Sequence, residues 1–270
     1  MSETTPTPIH RMGTMRHNHQ GWSPEEISHV LLDIEGTTCP VSFVASTLFP
    51  YANEHLGSYL RAHGQERMVH ELLESVERSW REDSSEEAQS LLQAHQALDA
   101  VGPDQPNALE AYLRLLIRCD RKLTALKDLQ GMIWRQGYEN GQLKAPLFED
   151  VPGALRHWSN QGLVLAVYSS GSVPAQQLLY GHSSGGDLRS LFQHWFDTRI
   201  GAKTDPSSYQ SIASAMGCGP NTVLFISDSR AELEAAAHVG MAVLFSDREG
   251  NPERDPGRFE PISSYADLFL

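Results

Sequence analysis

Short, wholly apolar runs alternate with stretches of helical period through the C-terminal half of the chain, and one such run stands far upstream. Val30-Leu31-Leu32 is the upstream run, and it ends abruptly in Asp33-Ile34-Glu35-Gly36-Thr37-Thr38. Leu163-Val164-Leu165-Ala166-Val167, Thr222-Val223-Leu224-Phe225-Ile226 and Ala242-Val243-Leu244-Phe245 are the others. Runs of branched residues without polar alternation predict strands buried on both faces, as in a parallel sheet. Trp195-Phe196-Asp197 predicts a further short strand, leading into Gly201-Ala202-Lys203. Between the strands the pattern predicts helices over about 150–160 and 173–180. Another is capped by Thr204 or Asp205, with Pro206 in its first turn. A last one opens on the capping-box pair Ser229 and Glu232 and stops near Gly240. Strand and helix in alternation predict an α/β fold, a doubly wound and mostly parallel sheet of Rossmann type with helices on both faces.

From about Val44 to Lys144 the character changes to stretches of helical period. Leu48, Phe49, Leu56, Tyr59 and Leu60 recur at helical spacing, as do Leu72, Leu73, Val76 and Trp80, then Leu123, Leu126, Leu129 and Ile133. The intervening residues 81 to 107 are acidic, rich in Gln and Ser, and broken by Gly102-Pro103 and Pro106. The expected organisation is a disordered tail over 1–22, an α/β core from 23–44 and 145–270, and an all-helical insertion over 45–144. Phe43, Leu126 and Trp134 read as core positions. The tail holds His10, His17 and His19, but its polar, aperiodic composition predicts disorder rather than a metal site.

Composition narrows the partners. A formal net charge of −13 argues against nucleic acid or an anionic membrane. A small anionic substrate remains compatible, because local cations or a metal can reverse the field inside a cleft. The three cysteines, Cys39, Cys119 and Cys218, have no paired ligand spacing. With no secretory h-region and no apolar run near the roughly 20 residues of a membrane helix, a reduced cytoplasmic setting is expected.

The strand ends carry the chemistry. In a parallel sheet Asp33, Glu35, Ser169, Ser170 and Asp228 share one edge, and Lys203 reaches it from its own loop. Singly, each has a plainer reading: a turn cap, a loop charge, a strand-end hydroxyl, a surface lysine. Together they match what phosphoryl transfer requires, namely a nucleophile, a proton donor, a hard cation and donors for phosphate oxygens. Asp33 suits the nucleophile and Asp228 the metal. Ser169, with the N–H groups of Ser170 and Gly171 at a helix start, suits a phosphate, and Lys203 balances charge.

These motifs resemble those of the haloacid dehalogenase-like superfamily. With Leu48-Phe49-Pro50-Tyr51, Thr124-Ala125-Leu126-Lys127, Leu129-Gln130-Gly131, Ala175-Gln176-Gln177-Leu178-Leu179, Gly181-His182-Ser183 and Phe196-Asp197-Thr198, the resemblance narrows to the enolase-phosphatases of methionine salvage. It spans about Val30 to Phe245 and is weakest across 62–110. The wider superfamily has Asp two residues after the nucleophile, and Glu35 in its place supports the narrower group. The resemblance implies Asp33, Glu35 and Asp228 at one Mg²⁺ per chain, and Ser169, Ser170 and Lys203 at the substrate. Asp33 would be the nucleophile, and Glu35 would meet the metal through its backbone oxygen or a water, leaving its side chain for acid/base work. The implied reaction enolises 2,3-diketo-5-methylthiopentyl-1-phosphate and then removes phosphate to give an acireductone, with the helical insertion as a cap. A monomer in the cytoplasm, and also in the nucleus of a eukaryotic cell, is the expected setting. The rivals are a phosphatase of the same superfamily acting on another small phosphate ester, and a non-catalytic protein on the same fold.

Overall fold

The computed structural model describes residues 22–98, 107–119, 121, 123–268 and 270. The expected tail, with His10, His17 and His19, lies outside the described residues apart from Trp22. Six parallel-paired strands form the sheet: β1 (His29–Leu32), β2 (Val164–Tyr168), β3 (Phe192–Phe196), β4 (Val223–Ser227), β5 (Ala242–Ser246) and β6 (Pro261–Ile262). Their order is β3-β2-β1-β4-β5-β6, so the chain runs outward from β1 on one side and then resumes beside β1 on the other. The reversal between β1 and β4 is the switch point at which such sheets open a crevice at their carboxyl ends. The short pair Pro261–Ile262 was not expected from its pattern, since two residues give no period to read.

Alternation along the buried strands splits their side chains between two packed layers. Val30, Leu32, Leu165, Val167, Leu224 and Ile226 face one, covered by α6 (Val151–Asn160) and α7 (Val173–Gly181) through Leu155, Trp158, Leu179 and Tyr180. Leu31, Ala166, Tyr168, Val223 and Phe225 face the other, covered by α8 (Pro206–Met216) and α9 (Arg230–His238) through Tyr209, Ile212, Leu233 and Ala236. Of the two cap candidates, Thr204 and Asp205, it is Asp205 that caps α8, accepting from the Ser207 N–H.

Between β1 and β2 lie α1 (Phe49–His63), α2 (Arg67–Glu82), α3 (Glu86–Leu98), α4 (Asn107–Arg118) and α5 (Thr124–Glu139). They bury their apolar stripes against one another, around Leu56, Val76, Trp80, Tyr112, Leu113, Leu129 and Ile133. Trp80 stacks on Tyr112 at 4.9 Å and donates its ring N–H to the Ala88 carbonyl. The chain enters this block through Val41–Phe43 and a π turn, Val44–Leu48, in which the Phe49 N–H reaches back to the Val44 carbonyl. Pro50, which has no N–H to give, follows at once. The Trp134 indole donates to the Leu48 carbonyl at 2.8 Å and pins α5 to that entry.

Candidate active site

The loop after β1 is wound around one carbonyl. The N–H groups of Thr37, Thr38 and Cys39 all point to the Ile34 carbonyl at 2.9–3.2 Å, and the Asp33 N–H continues the ladder to Ile226. Gly36 takes φ +70°, the left-handed region that a side chain rarely adopts. The winding buries Asp33, Thr37 and Thr38 while Glu35 stays partly exposed. Thr38 shares a 2.7 Å hydrogen bond with the Tyr180 hydroxyl, which ties the loop to α7.

Lys203 meets Asp33 from the loop after β3. Its Nζ donates to Asp33 Oδ1 at 2.6 Å and pairs with Glu232 at 2.8 Å, all three groups being largely buried. Burial alone would lower the Lys203 ammonium, but the Asp33 and Glu232 charges outweigh it and hold the amine protonated well above its ordinary range. The Tyr209 hydroxyl donates to the Lys203 carbonyl and Ser208 to that of Ala202, so α8 fixes the backbone under the amine.

Asp228 follows β4 directly. Desolvation, then the charges of Asp33 and Glu232, push its carboxyl up to about 7, with Lys203 opposing them. Glu232 is likewise raised, first by burial and then by Asp33. Asp33 and Glu232 thus share one ammonium at the switch point, Asp228 feels the charge of all three, and the cluster is short of positive charge. Hard oxygen donors short of a cation fit Mg²⁺. Among the described residues no three His, Cys, Asp or Glu side chains form a ready cage for a metal.

Glu232 is a residue whose role the sequence pattern misassigned. The capping-box reading pairs it with Ser229, yet Ser229 makes no side-chain cap; Glu232 instead accepts from Ser227 Oγ at 2.9 Å and takes Lys203. The usable signal was its position four residues after Asp228, which returns both acids to one side of the helix start.

A cavity of about 240 Å³ lies between this edge and the helical block, and Glu35, Ser169 and Ser170 all line it. Ser169 is buried and its Oγ accepts the Gly171 N–H at 3.2 Å, so that N–H is already engaged; the Val173 N–H is directed at Asp197. Arg121 and Lys127 bring positive charge to the wall, and Leu116, Ile117, Leu126, Trp134 and Leu178 make the rest of it largely apolar. Phe43 is core as expected, but Leu126 and Trp134 also face the cavity, because α5 is packed on one flank and open to the crevice on the other.

Residues 27–240 match the family described as haloacid dehalogenase-like hydrolase. The chain is 48% identical over 238 residues to a Synechococcus sp. (strain CC9902) protein named Enolase-phosphatase E1, covering 87% of this chain and 95% of that one. It is 47% identical over 243 residues to the Prochlorococcus marinus (strain MIT 9313) protein of the same name, covering 90% and 98%. Among solved structures it is similar to the UTR4 protein of Saccharomyces cerevisiae, with TM-score 0.65 and 34% identity over 88% of this chain and 98% of that one. The CbbY fold of Rhodobacter sphaeroides is also similar, at TM-score 0.54 and 17% identity over 90% and 96%.

Proposed function

This chain belongs to the haloacid dehalogenase-like hydrolases and, within them, to the enolase-phosphatase E1 family, and from that membership we propose its reaction. It converts 2,3-diketo-5-methylthiopentyl-1-phosphate, through the enol, to the acireductone 1,2-dihydroxy-5-methylthiopent-1-en-3-one and phosphate, in L-methionine salvage. The observation that carries this reading is the meeting of Asp33, Lys203, Glu232 and Asp228 at the switch point, beside a cavity with a carboxylate and two serines in its wall.

Lys203 holds one oxygen of Asp33, which orients the other to attack phosphorus. The Asp33 oxygen–phosphorus bond forms as the bond from phosphorus to the enol's terminal oxygen breaks, and water later cleaves the aspartyl phosphate. Ser169 and Ser170 hold phosphate oxygens, and Lys203 offsets their charge. Glu35 moves protons to and from the substrate, and its backbone belongs to the metal edge with Asp33 and Asp228. One Mg²⁺ per chain, when bound, supplies Lewis-acid stabilisation of the enolate and of the transferring phosphoryl group. The helices over 45–144 act as a cap on the core formed by 23–44 and 145–270, excluding water as they close. The enzyme works as a monomer in the cytoplasm.

Purified protein assayed with Mg²⁺ and the diketone phosphate, following enol and free phosphate separately, should yield both. Turnover of ordinary sugar phosphates without acireductone would defeat this reading in favour of another phosphatase.

A further inference from the structure

Gly36 is held by a residue that no motif singles out. Its carbonyl accepts from Ser246 Oγ at 2.8 Å and from Asn251 Nδ2 at 2.9 Å. The same Nδ2 donates to the Ser246 carbonyl at 3.0 Å. Both partners are acceptors, so the amide can sit only one way round, with Nδ2 on the carbonyls and Oδ1 on the opposite side. That Oδ1 is fully buried in a residue only 7% exposed, and it has no hydrogen-bond partner. It faces Asp228: a point off Gly36 where a Cβ would stand is 2.8 Å from Asn251 Oδ1 and 2.1 Å from Asp228 Oδ2. A buried, fixed acceptor without a donor is costly unless something supplies the donor.

We propose that Asn251 is a positioning residue of the active site, which clamps the Gly36 carbonyl and supplies an outer-sphere hydrogen-bond acceptor for the hydrated divalent cation beside Asp228. The nitrogen end fixes the turn between Asp33 and the threonines, and the oxygen end completes the hydration partners of the cation edge. This inference rests on the reading that Asp33 and Asp228 hold that cation.

Calorimetric titration of the full chain with Mg²⁺ tests it, on wild type, Asn251→Ala and Ser246→Ala, alongside melting temperature and steady-state kinetics. Asn251→Ala should weaken Mg²⁺ by about tenfold or more, the usual cost of removing an outer-sphere partner. It should also lower kcat with KM for the diketone phosphate little changed. Ser246→Ala removes one hydrogen bond to Gly36 but leaves the acceptor, and should keep Mg²⁺ affinity within twofold of wild type. If Asn251→Ala does not fold, Asn251→Ser carries the same expectation. Unchanged Mg²⁺ affinity in the Asn251 variant, or an equal loss in Ser246→Ala, would overturn the inference. Failure of the wild type to bind Mg²⁺ would instead overturn the reading beneath it.

Discussion

Gly36 tolerates no side chain where it lies, because a Cβ would sit 2.1 Å from Asp228 and φ is +70°. Gly36→Ala should cost about 1–2 kcal/mol of stability from backbone strain and displace Asp228 from its place at the switch point. The expected outcome is a folded protein with a lower melting temperature and most Mg²⁺-dependent turnover lost; full turnover would show that Asp228 is not needed there. Asp33→Asn should reduce phosphate release by about a thousandfold or more, since it removes the attacking oxygen. Release at the wild-type rate would rule out an aspartyl-phosphate route. Asp33 and Asp228 are legible in sequence because each follows an apolar run, and Lys203 because it stands just before a capped helix. Glu232 was only half legible, its spacing from Ser229 being identical to a cap. Asn251 was not legible at all, since its work is a hydrogen bond across 215 residues to a backbone carbonyl.

At the scale of elements, apolar runs betray the central strands and helical period betrays the helices between β1 and β2, whereas the C-terminal segment shows neither. It is held by polar and aromatic contacts that leave no periodic trace. Arg248 lies between the rings of Phe148 and Tyr265 at 4.7 and 4.6 Å and pairs with Asp150 at 2.9 Å. Tyr265 in turn donates to the Thr37 carbonyl in the loop after β1. Burial would raise the Asp150 carboxyl, but the Arg248 bonds and the Tyr265 N–H hold it below its ordinary range. A depressed carboxylate stabilises the fold above its unfolded pKa of about 4, and that stability is lost as pH falls through the folded value. Asp150→Asn should therefore cost about 3 kcal/mol at neutral pH, from a buried cation left unpaired, with the gap to wild type closing in acid. Denaturant unfolding across pH 3–7 measures it. Trp80→Ala should cost about 3–5 kcal/mol through the cavity it leaves and its lost stacking on Tyr112. Amide exchange should then quicken through α1–α5 and leave β1, β2 and β4 protected, if the helices form a separate cooperative unit.

Over the whole molecule, the concentration of negative charge at one sheet edge makes stability depend on what binds there. Mg²⁺ at a hundred times its dissociation constant should add about 2.7 kcal/mol by mass action, read as a rise in melting temperature that Asp33→Asn and Asp228→Asn reduce. Absence of any rise in the wild type would contradict a cation site. The strand order has a consequence for how the enzyme is made. β1 leaves the ribosome first, but its two neighbours lie at 164–168 and 223–227, and the residue that clamps its loop is 251. Such long-range pairing is slow, and on a chain that ends before β4 it leaves one side of β1 unpaired. Asp33, the proposed nucleophile, is thus translated early and its site completed late: a stalled nascent chain carrying Asp33, Ser169 and Lys203 but short of β4 would release no phosphate. In synchronised translation, hydrolysis should begin only after β4 has emerged, with no rise before it.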